Sequence, residues 1–182
     1  HRDGVGVCGS MELKNIIEAV LFSSARPVTV KQVARRLGEF SLEEIESAFR
    51  ALAAEYSDPG RSVEVAEVAG GFQMRTKVAY RDWVRRFVRE KDVGLSRPML
   101  ETLSIIAYKQ PVTKKEIDVV RGVDSARAVK HLLERRLIEI AGRNGEAGKR
   151  MVFRTTQRFL EVYGLKSLED LPTYKEIESL EG

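Results

Sequence analysis

The chain has 182 residues, of which 43% are hydrophobic and 32% charged, with a net charge of +4. That length holds one medium domain or two small ones, and no apolar run approaches the roughly 20 residues that a membrane helix needs. The single cysteine, Cys8, excludes an intrachain disulfide and fits a reducing cytoplasm.

Residues 1–10, "HRDGVGVCGS", lack the charged and apolar regions of a secretory signal and are expected to be a disordered leader or frayed tail, with the fold starting at Met11. From 12 to 24, Leu13, Ile16, Ile17, Val20 and Leu21 recur at three- and four-residue spacing, the stripe of an amphipathic helix. Arg26-Pro27 ends it, because Pro disfavours helix at the residue before it. Thr29 with Gln32 then forms a capping-box pattern, opening a short helix that buries Val33 and Leu37 and stops at Gly38. Ser41 with Glu44 is another capping box, starting a third helix over 41–56 with Leu42, Ile45, Phe49 and Leu52 as its core stripe. Two alternating apolar segments follow, 63–68 and 72–76, and Ala69-Gly70-Gly71 between them reads as a hairpin turn.

The same order then returns. "ARPVT" at 25–29 and "KQPVT" at 109–113 lie 84 positions apart, and the neighbourhoods align through Gly38 and Gly122. Residues 99–108 are helical, Pro111 interrupts, and Thr113 with Glu116 is again a capping box. Ile117 and Val120 are the expected core of the next helix. Asp124 or Ser125 caps a third, with Val129, Leu132 and Leu133 as its stripe. "LIEIAG" and "RMVFRT" alternate as strands around the tip "RNGEAGK". An internal repeat of this kind sets the architecture. Each copy spells a helix-turn-helix with a β-hairpin wing, since a two-stranded ribbon can cover the core edge that three short helices leave open. The expected fold is α+β and mostly helical: two tandem winged-helix domains, 11–90 and 97–165, and an acidic tail at 166–182. A helical addition follows each wing, with Tyr80, Trp83, Val84 and Phe87 as the stripe of the first and Phe159, Leu160 and Tyr163 of the second.

Catalytic signatures are missing. The histidines are His1 in the leader and His131 on a helix, too few with one cysteine for a zinc site. "GRNGEAGKR" imitates a phosphate loop, but the pattern needs Gly at 143 and Ser or Thr at 150, and both are Arg. No enzyme activity, metal or cofactor is expected.

A winged helix suggests DNA binding through its third helix. The first copy's third helix sets Glu43, Glu44, Glu46 and Glu55 against Arg50 alone, which repels a phosphate backbone. The second is more permissive, and Arg127, Lys130, Arg143, Lys149 and Arg150 are its candidates for nonspecific DNA contact. A basic run at 75–91 reads first as a solvated face. In the second copy's first helix, Met99, Leu100, Leu103, Ile105, Ile106, Ala107 and Tyr108 cover more than one face. That surplus is met either by packing against the rest of the chain or by a partner segment.

"LSRPMLETLSIIAYKQPVTKKEIDVVRGVDS", then "LLERRLIEIAGR" and "FRTTQRFLEVYGLKSLEDLP", resemble the segregation and condensation protein B (ScpB) family of bacteria, in that order and spacing, with likeness running from Met11 to about Pro172. The resemblance implies two winged-helix domains without enzyme activity. It also implies a cytoplasmic, nucleoid-associated homodimer, paired largely through the first domain. Such a protein binds the kleisin ScpA and through it the SMC ATPase, in chromosome condensation and segregation during cell division, with DNA contacted weakly or indirectly and no membrane. By motif, Tyr108, Lys109, Gln110 and Arg121 become the candidate partner-binding residues. Lys149-Arg150 departs from the Arg-Pro expected at the wing tip. The rival reading is a tandem winged-helix transcription regulator that binds DNA by sequence.

Overall fold

The computed structural model describes residues 12–88, 94–144, 150–173 and Glu176. The chain divides between Val84 and Arg85 into two units, each with its own core. The leader, Met11, much of the linker "REKDVGLS" and the wing tip with Lys149 lie outside the described residues.

In the first unit, α1 (Leu13–Ser23), α2 (Val30–Leu37) and α3 (Leu42–Glu55) precede an antiparallel ribbon of β1 (Val63–Val68) and β2 (Gly71–Thr76). Both capping boxes form: Thr29 and Ser41 accept from the amides of Gln32 and Glu44, whose side chains bond back to the cap amides. Gly38 ends α2 at φ 68°, a left-handed value that favours glycine. The ribbon pairs Val68 with Gly71, so its turn is the two residues Ala69-Gly70, and Gly71 belongs to the strand. Ile17, Leu21, Val33, Ile45, Phe49 and Leu52 close the core against Val65 and Phe72. The Phe49 and Phe72 rings stack at 4.5 Å, worth about 1 kcal/mol beyond the area they bury. Leu42, expected in the core, is exposed: as the first residue of α3 it precedes the turn at which Ile45 reaches the other helices.

A short 3-10 turn (Val78–Tyr80) and α4 (Arg81–Phe87) follow, with the division between the units inside α4. The apolar stripe expected here is present but stays largely uncovered, with Trp83 and Phe87 exposed.

The second unit repeats the order with α5 (Arg97–Lys109), α6 (Lys114–Arg121), α7 (Ala126–Glu134), then β4 (Ile138–Asn144), β5 (Arg150–Thr155) and α8 (Gln157–Tyr163). Its sheet has a third strand that alternation could not reveal in two residues, β3 (Val112–Thr113), in the order β3-β5-β4. The first unit holds the counterpart 84 positions earlier, where Val28 and Phe72 exchange backbone hydrogen bonds of 2.8 and 2.9 Å. In both, the extended residue after the proline is stitched to the returning strand, which joins α2 or α6 to the ribbon. Thr113 and Glu116 form their capping box, and Gly122 ends α6 at φ 72°. Ile117 is fully buried, whereas Val120 is 49% exposed. Three residues on, Val120 has rotated past the narrow face that an eight-residue helix turns inward. Leu103, Ile106, Leu132, Leu137, Phe153 and Phe159 complete this core.

Candidate functional site

The surplus apolar face of α5 is only partly absorbed. Pro98 in the first turn suits a position whose amide has no helical partner. Met99, Leu103, Ile106 and Ala107 then face the core, while Leu100 and Tyr108 stay exposed. Together with Phe159 and Tyr163 of α8, and with Leu165, Leu171 and Pro172, they line a groove of about 290 Å³. Local sequence builds the far wall. Thr156 caps α8 by accepting from the Phe159 amide, and Gly164 at φ 64° turns the chain back. The Ser167–Asp170 capping box then holds a tight turn that returns Leu171 toward the core. Partial burial pushes the Tyr163 phenol above its usual range.

Tyr108 is 51% exposed, and its hydroxyl donates to the Pro172 carbonyl at 2.7 Å. One edge of its ring is thus tied to the returning segment while the rest faces water. Lys109 is exposed at the last turn of α5. Gln110, the third of these candidates, makes internal bonds. Its Nε2 donates to the Ala107 carbonyl at 3.0 Å, and its Oε1 accepts from the Thr155 amide at 2.8 Å and the Thr155 hydroxyl at 3.0 Å. The side chain is turned inward, fastening the end of α5 to the end of β5.

Arg121 is also largely internal, its side chain only 7% exposed. It reaches Glu101 and the Asp124 carbonyl, each at 3.5 Å, and its Nε has no hydrogen-bond partner. Arg127 shares with it a cleft of about 630 Å³ between the start of α5, the α6–α7 turn and α7. Two residues that the sequence assigned to different partners therefore stand in one place, joined by His131 and Arg135. Lys130 points to Glu134 at 3.9 Å. Arg143 and Arg150 are exposed near the far end of the β4–β5 ribbon, and Lys149 is outside the described residues.

An acid network holds the turn beside the cleft. Asp118 accepts from Lys114 at 2.6 Å and from the amide of buried Ser125 at 2.8 Å, and Lys114 also meets Asp124. The Lys114 bond first, and the Ser125 hydroxyl second, bring the Asp118 carboxyl down from 3.8 to about 2. Asp124 accepts from the Ala126 amide at 3.1 Å, so it, and not the Ser125 side chain, caps α7.

Sequence reasoning missed Leu165, Leu171 and Pro172 as groove walls, and Arg135 as a cleft residue. The three-residue spacing of Leu165, Leu168 and Leu171 was the available signal. Among the described residues no group of three or more His, Cys, Asp or Glu could hold a metal ion, and no helix is long and apolar enough to cross a membrane.

Residues 15–174 match the family described as segregation and condensation complex subunit ScpB. The chain is 43% identical over 171 residues to segregation and condensation protein B of Syntrophotalea carbinolica, covering 94% of this chain and 86% of that protein. It is 36% identical over 175 residues to the protein of the same name from Clostridioides difficile, covering 93% and 98%. Among solved structures, ScpB from Mycobacterium tuberculosis is 30% identical, covers 87% of this chain and 99% of that one, and has a TM-score of 0.40. A dimer of the ScpB N-terminal domain complexed with an ScpA peptide is 26% identical, covers 41% and 93%, and has a TM-score of 0.38. Superpositions that loose add nothing to the sequence matches, which extend over nearly the whole described chain. On those matches, the chain belongs to the segregation and condensation complex subunit ScpB family.

Proposed function

We propose that this protein is a non-enzymatic accessory subunit of a condensin-like SMC–kleisin complex, binding the kleisin ScpA as a homodimer and acting in chromosome condensation and segregation. Each unit is read as a winged helix, with domains at 11–90 and 97–165 and an acidic tail beyond. The observation that carries the reading, beyond family membership, is the groove on α5. Leu100, Tyr108 and Tyr163 are large, at least 43% exposed and contiguous with the core. Such a concave apolar face, with Tyr108 and Ser104 in its lining, suits the apolar side of a kleisin segment. In the first unit, a groove between α1 and α2 is lined by Ile16, Val20, Pro27 and Val33, and α1 also exposes Phe22, apolar surface that suits self-association.

The test is calorimetry of the purified protein with a peptide from the central region of the cognate kleisin at physiological salt, with a random duplex in parallel. Saturable peptide binding that drops on Tyr108→Ala, with little heat from DNA, is expected. Tight, sequence-dependent DNA binding without peptide binding would overturn the reading in favour of a transcription regulator.

A further inference from the structure

A guanidinium carries five N–H donors in a fixed fork and cannot shed its charge. Burying one is costly unless its donors are met. Arg121 departs from that rule: its side chain is 7% exposed, its two contacts sit at 3.5 Å, and its Nε is unpartnered. Good bonds of this type are about 2.7–2.9 Å. The cation is therefore held in place but poorly satisfied, on the wall of an open cleft. Two further arginines line the same cleft, and among the described residues neither Arg127 nor Arg135 meets a carboxylate. By contrast Arg97, Lys114, Lys130, Arg154 and Arg158 on the same unit all do. Three arginines thus converge on one concave surface, and one of them has a buried, unpartnered Nε.

We propose that this cleft docks an acidic segment of a protein partner, its carboxylates taken by Arg121, Arg127 and Arg135; this rests on the adaptor reading only in taking the partner to be a protein. Arg127 in the first turn of α7 and Arg135 at its C-cap stand eight residues apart, about 12 Å along the axis. An extended peptide advances about 3.3 Å per residue with alternate side chains on one side, so acidic residues four apart match that span. Pro98, Met99 and Ala128 form the apolar part of the lining and give an aliphatic residue between the acids a surface to cover. A nucleic-acid backbone fits less well. Its charges are closely and evenly spaced, and the carboxylates of Glu101, Asp124 and Glu134 stand around the cleft. A peptide can place its few charges to avoid them.

The probe is the fluorescein-labelled peptide Ser-Glu-Ser-Leu-Ser-Glu-Ser, whose acids stand four apart with an aliphatic residue between them, titrated with the full chain by anisotropy at physiological salt, with a labelled random duplex in a second arm. The Arg127→Gln/Arg135→Gln variant removes two exposed guanidinium groups, and Lys115→Gln/Arg158→Gln removes the same charge elsewhere on the unit. Saturable peptide binding, weakened roughly tenfold by the first pair and unchanged by the second, is the expected result. Absent binding, equal weakening by both pairs, or tighter arginine-dependent binding of the duplex would overturn it. Because no kleisin is present, such a failure leaves the adaptor reading standing. Loss of kleisin-peptide binding alongside retained binding of the acidic probe would remove that reading instead.

Discussion

Replacing Gln110 with alanine separates a residue that recognises a partner from one that holds the fold. The substitution removes bonds of 3.0 Å to the Ala107 carbonyl, 2.8 Å from the Thr155 amide and 3.0 Å from the Thr155 hydroxyl. Thr155 is 9% exposed, so water cannot easily replace what its amide loses. With about 1 kcal/mol net for a typical bond, and about 1–3 kcal/mol for a stranded buried donor, the expected cost is about 2–4 kcal/mol. In a unit of roughly a hundred residues that lowers the midpoint of thermal unfolding by at least about 8 °C. Far-UV circular dichroism is the suitable probe, since the single tryptophan, Trp83, lies in the first unit. Exposed Lys109→Ala serves as the neighbour control and should stay within about 0.5 kcal/mol. A Gln110→Ala cost below about 0.5 kcal/mol together with lost kleisin-peptide binding would refute the structural role and return the residue to the partner surface.

At Gly71 an added Cβ would stand 2.8 Å from the Val28 carbonyl oxygen and 2.9 Å from its carbon. Gly71→Ala should therefore cost about 1–3 kcal/mol in urea unfolding of the first unit, and a neutral result would deny the close approach of the two segments. In the second unit, Ile117→Ala should cost about 2–5 kcal/mol and Val120→Ala within about 0.5 kcal/mol; equal costs would mean that α6 turns a different face to the core. The Asp118 carboxyl lies at about 2 in the folded chain against 3.8 normally. A folded pKa that is depressed gives stability present above the unfolded value and lost as pH falls through the folded one. The stability gap between wild type and Asp118→Asn should thus be full above about pH 4 and close toward pH 2, and a gap independent of pH over that window would contradict the bonding described.

What the sequence made legible was whatever is encoded within a turn or two of chain. Thr29–Gln32, Ser41–Glu44 and Thr113–Glu116 all cap as spaced, and β1 and the repeat of 84 positions follow from the same local rules. Val120 and Leu42 were misplaced because a short helix, or a helix's first turn, has too few residues for its own periodicity to fix which face turns inward. The bonds of Gln110 were hidden for another reason: its partner Thr155 is 45 residues away, and the direction of a polar side chain after a helix is set by that distant strand. The far wall of the groove was hidden by composition. The acids of "LKSLEDLP" suggest a solvated tail, yet the capping box they help to form is what returns Leu171 to the core. Arg121 sits in plain view in the sequence, but no pattern announces that its Nε goes unpartnered.

The repeat also bears on which of the two readings the chain can support. Duplication gave both units the same stitched strand after Pro-Val-Thr, the same capping box and the same left-handed glycine. Their third helices then differ in sign. On α3 four glutamates face one arginine, and Arg50 is already engaged by Glu46 at 2.8 Å and Glu67 at 3.3 Å. On α7, Arg127 and the capping Arg135 are without carboxylate partners among the described residues. A tandem reader of DNA needs the same charge at both third helices, because each would meet the same polyanion. A single polyanion is repelled by one of these helices and attracted by the other. Two units that share a scaffold but offer opposite charge fit a single polyanion poorly, which supports the proposed adaptor over a regulator on a duplex.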